Sequence, residues 1–116
     1  MNIQIFGIKK CFDTKKAERF FKERNIKFQF IDLKEKEMSK GEFENVLRAV
    51  GIKNLINEKS GNYKKLNFHN IRSSEVKAEL LLKNQSVMKT PVVRNGKKAT
   101  AGYEPVIWEE WIKEEK

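Results

Sequence analysis

The 116-residue sequence predicts an α/β fold with a mixed sheet, and three features carry that prediction. An alternating apolar run, an amphipathic segment of about three turns and a second apolar run follow one another between Ile3 and Leu33. Near the other end, Asn95-Gly96 separates two short strand-like runs, as in a hairpin. A Pro-initiated helix bearing Trp108 and Trp111 closes the chain. The implied order is β-α-β, then helices, then β-β-α.

Ile3 and Ile5 alternate with Asn2 and Gln4, and Phe6-Gly7 ends the first strand. Beyond Ile8-Lys9-Lys10-Cys11-Phe12, Asp13 or Thr14 is placed to cap a helix running to about Asn25. Ala17, Phe20, Phe21 and the stem of Arg24 share one face at i, i+3, i+4 spacing. Phe28-Gln29-Phe30-Ile31-Asp32-Leu33 reads as the second strand, joined to the first by a right-handed crossover.

A helical segment is expected from about residue 39 to residue 84. Ser39 and Glu42 form an S-x-x-E capping box, with Met38 and Phe43 as its hydrophobic staple. Phe43, Val46, Leu47 and Val50 make the buried stripe, and Gly51 stops the helix. A polar stretch of short turns leads to a helix starting at Ser73 or Ser74, with Val76, Leu80 and Leu81 inward. The Asn95-Gly96 turn is expected to be type I′, which needs two positive φ angles. In the closing helix Ile107, Trp108, Trp111 and Ile112 form the apolar face. The whole, residues 1–116, reads as one domain, since a chain this size has room for one core.

Composition narrows the function. Hydrophobic residues make up 39% and charged residues 35%, and no apolar run approaches the ~18 residues of a membrane span. The first residues lack a basic stretch followed by a long apolar one, so no signal peptide is expected. One Cys builds no internal disulfide, and with one His it makes no zinc site. The expected address is the cytoplasm. Net charge is +9, from 25 Lys and Arg against 16 Asp and Glu. That excess is mostly Lys, whereas base-edge readout favours Arg, so direct nucleic-acid binding is not the expected role.

Cys11 is the candidate for chemistry. A lone cysteine is ordinarily a small buried hydrophobe. This one stands between a strand and a helix, where exposed N–H groups and the helix dipole favour an anion. Lys9, Lys10, Lys15 and Lys16 crowd it in sequence and are expected to lower its pKa, the thiolate being the reactive form. Pro91 heads the third strand, where a cis peptide can sit against the start of the first helix.

The run from Ile5 to Ala17 around Cys11, the stretches Leu55-Ile56-Asn57 and Tyr63-Lys64-Lys65-Leu66, Thr90-Pro91-Val92-Val93, and Gly102-Tyr103 resemble the arsenate reductase (ArsC)/Spx family. The resemblance implies a thioredoxin-like fold with an inserted helical segment, Cys11 as its reactive thiol and Pro91 as its cis proline. Glutaredoxin-linked arsenate reductases of the family grip their oxyanion with three arginines. Here Asn57, Thr90 and the Ala101-Gly102-Tyr103 stretch stand at those places, and Arg94 is the one arginine nearby. Lys does not reproduce the bidentate arginine fork. Spx regulators carry Cys-x-x-Cys, where this chain has Thr14. The pattern looks more like the YffB branch.

The expectation is an ArsC-family thiol oxidoreductase, a glutathione-dependent monothiol reductase with no tightly bound cofactor and glutathione as co-substrate. Its partners would be glutathione or another thiol or disulfide substrate, with a glutaredoxin as further partner. Thr14 would donate to the thiolate. Lys10, Lys15 and Lys16 would hold ligand carboxylates, Thr90 and Pro91 would meet the peptide-like part, and Arg94 would complete the ligand-binding set. The alternative is a Spx-like regulator binding an RNA polymerase subunit, for which Gly51 matches a contact position. Arsenate reduction is the third reading.

Overall fold

The computed structural model describes residues 1–115. Its order is β1 (Ile3–Gly7), α1 (Phe12–Glu23), β2 (Phe28–Asp32), α2 (Lys40–Val50), α3 (Ile52–Leu55), α4 (Gly61–Lys65), α5 (Ser74–Lys83), β3 (Val92–Asn95), β4 (Lys98–Ala101) and α6 (Pro105–Glu114). Single 3-10 turns occupy Phe68–Asn70 and Gln85–Val87.

The four strands lie in the order β2-β1-β3-β4. β1 runs parallel to β2 and antiparallel to β3, which is antiparallel to β4. This is the thioredoxin-like arrangement, with the helical segment of residues 40–87 between its two halves. Strand alternation sends side chains to opposite faces of the sheet. Ile3, Ile5 and Val93 join Phe20, Phe21, Trp108 and Trp111 beneath α1 and α6. Phe6 and Val92 join Phe43, Val46, Leu55, Phe68 and Leu81 beneath α2 to α5. Each large apolar side chain so buried contributes roughly 1.5–3 kcal/mol.

Local signals account for the best-defined ends. Ser39 Oγ accepts from the Glu42 amide while Glu42 accepts from the Ser39 amide, so the capping box forms as the sequence predicts. Gly51 ends α2 at φ 86°, in a region that disfavours side chains. α1 stops earlier than expected, at Glu23. Asn25 takes the left-handed conformation (φ 57°), and the Asn25 and Ile26 amides donate to the carbonyls of Lys22 and Phe21. This is a Schellman ending, with Ile26 packed on the core.

Four expectations are corrected. Neither Asp13 nor Thr14 caps α1: the N-cap is Cys11, so both fall inside the first turn. The hairpin pairs Asn95 with Lys98, leaving Gly96-Lys97 as its loop. Only Gly96 of the two has positive φ (63°), the type II′ pattern rather than I′. Val76 and Ile107 face outward, because α5 turns Leu81 inward and α6 is anchored by its tryptophans. Among the described residues no helix is long and apolar enough to cross a membrane.

Candidate functional site around Cys11

The sheet register builds the site. Phe6 pairs with Val92, so the residue before Val92 lies beside the chain leaving β1. That residue is Pro91, and the Thr90–Pro91 peptide is cis. Chain leaving β1 turns through Ile8 to Cys11, whose amide donates to the Ile8 carbonyl at 3.1 Å. Gly102 donates to the Pro91 carbonyl at 2.8 Å and ties the start of β3 to the end of β4. Lys89 donates to Leu55 and Asn57 to Val87, so the 55–57 loop is fastened beside the same segment.

Cys11 is partly buried, with its sulfur at the start of α1. Thr90 presents two groups to it: its hydroxyl donates to Sγ at 3.2 Å, and its carbonyl stands 3.8 Å away. Burial pushes the thiol pKa up. Hydrogen bonds to the thiolate outweigh it, from the hydroxyls of Thr14 and Thr90 and from the backbone of Thr14 and Asp13, and the pKa is lowered.

Thr14 is fully buried, and its hydroxyl has no hydrogen-bond partner among the described residues. That hydroxyl is the foremost of the groups that lower the Cys11 pKa. Its position is enforced from below, since a Cβ on Gly7 would stand 2.5 Å from Thr14 Oγ1. Gly7 is therefore part of the site, and the sequence pattern showed it only as a strand end.

The lysines act differently from the expectation. None contributes to the lowered Cys11 pKa, which short-range donors produce. Lys9 lies 3.9 Å from Glu35, Lys15 stands over the Phe12 ring, and Lys16 over the Tyr103 ring at 5.5 Å. Lys10 is exposed in the turn before Cys11. Arg94 is not brought to Cys11. Its register places it against Gln4, and its guanidinium donates to Asn45 and Gln4 at 2.9 Å each, with Glu42 at 3.7 Å. Those partners lie toward the start of β1, the end of the strand opposite Cys11.

A cavity of about 380 Å³ opens on the other side of Thr90, walled by the 33–38 loop and residues 83–88. One residue missed in sequence joins these walls. The buried side chain of Gln85 accepts from the Met38 amide at 2.7 Å and donates to the Met38 carbonyl at 2.8 Å. A lone Gln bonded across 47 positions gives no local sequence signal.

The ArsC family model matches residues 6–111. A search of curated proteins finds no match. Among solved structures, a YffB protein superposes with a TM-score of 0.83 at 22% identity, covering 94% of this chain and 97% of its own. A putative ArsC family related protein from Bacteroides fragilis gives 0.84 at 22% identity, over 95% and 97%. An arsenate reductase (ArsC) related protein from Brucella melitensis gives 0.71 at 27% identity, over 97% and 96%. With the match running from β1 to α6, the chain belongs to the ArsC family, a family of thiol oxidoreductases with the thioredoxin-like fold.

Proposed function

We propose that this protein is a glutathione-linked monothiol oxidoreductase acting through Cys11. The observation that carries the reading is a partly exposed sulfur whose pKa is lowered by hydroxyl and amide donors, beside a cis proline. Nucleophilic attack on a disulfide needs the thiolate, and those donors favour it at neutral pH.

In the first step the Cys11 thiolate attacks the glutathionyl sulfur of a mixed disulfide. A bond forms between the two sulfurs, the original S–S bond breaks, and the substrate leaves as a thiolate that takes a proton from water. Cys11 is the chain's sole cysteine, so a second thiol from outside must resolve the adduct. Free glutathione, as its thiolate, attacks the glutathionyl sulfur on Cys11. The products are oxidised glutathione and the regenerated Cys11 thiolate, so the net exchange turns the mixed disulfide and one glutathione into the free substrate thiol and oxidised glutathione. A glutaredoxin-type thiol protein can serve in the resolving step.

Oxyanion reduction is supported less well. The cavity beside Thr90 has no arginine in its lining, and Arg94 is engaged elsewhere. A bidentate cation is what a tetrahedral oxyanion calls for.

The test is mass spectrometry of the protein after incubation with oxidised glutathione, followed by free glutathione. The expected result is one glutathione adduct on Cys11 that free glutathione removes, and none on Cys11→Ser. A thiol that takes no adduct, in a protein that still co-purifies with RNA polymerase as Cys11→Ser, would instead favour the Spx-like regulator.

A further inference from the structure

Two hydroxyls from distant parts of the chain serve one sulfur. Thr90, just before β3, donates to Cys11 Sγ at 3.2 Å. Thr14, in the first turn of α1, is fully buried, and its hydroxyl has no partner among the described residues. That hydroxyl is aimed at the sulfur, being foremost among the groups that favour the thiolate. The Thr90 carbonyl adds an acceptor 3.8 Å from the same atom. Every one of these groups is uncharged, and the nearby Lys15 and Lys16 ammoniums stand over the Phe12 and Tyr103 rings. Disulfide exchange does not use the whole set, because it brings only a second sulfur to Sγ. An S–O–H group does use it: its oxygen accepts from the hydroxyls and its proton goes to the carbonyl. A small uncharged oxygen electrophile therefore suits this sulfur, which is partly exposed and surrounded by neutral donors.

We propose that Cys11 also reduces hydroperoxides, with the Thr14 and Thr90 hydroxyls holding the transferred oxygen and the Thr90 carbonyl accepting its proton. This second activity rests on Cys11 being a reactive thiolate, and not on glutathione as its partner. The Cys11 thiolate attacks the terminal, proton-bearing oxygen of the hydroperoxide. An S–O bond forms, the O–O bond breaks, and the departing hydroxide or alkoxide takes a proton from water. Sulfur loses two electrons and becomes a sulfenic acid, while the peroxide is reduced to water or an alcohol. Cys11 is the chain's sole cysteine, so the sulfenic acid has no internal thiol to condense with. An external thiol attacks Sγ instead, its proton leaves with the sulfenic oxygen as water, and a mixed disulfide forms. A second external thiol then attacks the external sulfur of that disulfide, which releases the Cys11 thiolate and completes the cycle.

The experiment treats the full chain with hydrogen peroxide and traps sulfenic acid with dimedone, read by mass spectrometry. Rates are expressed per thiolate from each protein's own titration, and iodoacetamide, which offers carbon in place of oxygen, is the control. One dimedone adduct is expected, on Cys11. A thiolate of lowered pKa is intrinsically the weaker nucleophile, so a peroxide rate roughly tenfold or more above that of free cysteine reports the hydroxyls' assistance. Thr90→Val and Thr14→Val are each expected to lose about tenfold with peroxide and less than about twofold with iodoacetamide, as removal of a donor to oxygen implies. Thr90→Ser, which keeps the hydroxyl, is expected to retain the wild-type peroxide rate, and the Thr90 pair decides should Thr14→Val fail to fold. Equal losses with both reagents, or a wild type no faster than free cysteine, overturn the proposal. A wild type that takes a glutathione adduct but no dimedone overturns it while leaving the disulfide chemistry of Cys11 intact. A wild type that takes neither overturns both readings.

Discussion

Gly7 and Thr14 fit together so closely that any side chain on the first would collide with the second, a Cβ standing 2.5 Å from Thr14 Oγ1 and 2.6 Å from its methyl carbon. The strand end therefore sets how deep the first turn of α1 sits, and with it the hydroxyl beneath the sulfur. Gly7→Ala is expected to push Thr14 away, raise the Cys11 pKa toward the ordinary thiol value and cost about 1–3 kcal/mol through overpacking. Iodoacetamide alkylation rates across pH, with urea unfolding, check both effects.

Thr14→Val separates reactivity from stability. The buried hydroxyl has no hydrogen-bond partner among the described residues, so an isosteric apolar replacement removes an unsatisfied group. Below the thiol pKa the variant is expected to be as stable as wild type or more so. Its Cys11 is nevertheless expected to titrate at higher pH, since a donor to the thiolate is lost. Thr90→Val is expected to shift the titration in the same direction. A thiolate absorbance titration near 240 nm decides, and an unchanged midpoint in both variants would refute the donor assignment.

Stability should carry the same signature. The folded Cys11 pKa lies below the unfolded one, so between the two the unfolded chain binds more protons and stability rises with pH. The stabilisation is complete above the unfolded thiol value of about 8.5 and disappears as pH falls through the folded pKa. The stability difference between wild type and Cys11→Ser is therefore expected to widen as pH increases across that window. Denaturant unfolding at a series of pH values measures it, and a difference independent of pH would contradict it.

Gln85→Leu is expected to destabilise by about 2–4 kcal/mol, because it strands a buried amide and a buried carbonyl of Met38. Chemical unfolding of the variant tests this prediction.

Trp108 tests the opposite face. It is fully buried against Phe20 and Phe21, and its indole N–H donates to Thr100 Oγ1 at 2.9 Å. Trp108→Ala is expected to cost about 3–5 kcal/mol, and Trp108→Phe about 1–2 kcal/mol from the lost bond and volume. Calorimetric unfolding of the two variants supplies the comparison, while the Cys11 pKa should hold its wild-type value.

Much of this architecture is readable from local chemistry. The Ser39–Glu42 box, the Gly51 stop and the Pro105 start depend on neighbours a few residues apart, and each marks its helix end where the sequence places it. Cys11 and Pro91 are readable because strand ends put them in register. What sequence concealed was depth and reach. Phe12 lies 78% exposed while Thr14 is buried, because α1 begins without a side-chain cap and its first turn rolls Thr14 beneath the sulfur. Proximity in sequence made the lysines look like the source of the lowered pKa. Lys15 and Lys16 lie against aromatic rings, and the lowering comes from hydroxyl and amide groups of Thr14, Thr90 and Asp13.

The bridge from Gln85 to Met38 has a further effect. Because it locks two distant stretches of chain to each other, the hollow they enclose exists before any guest arrives. A ligand entering it would freeze little of the protein's own motion and would surrender chiefly its own freedom and hydration.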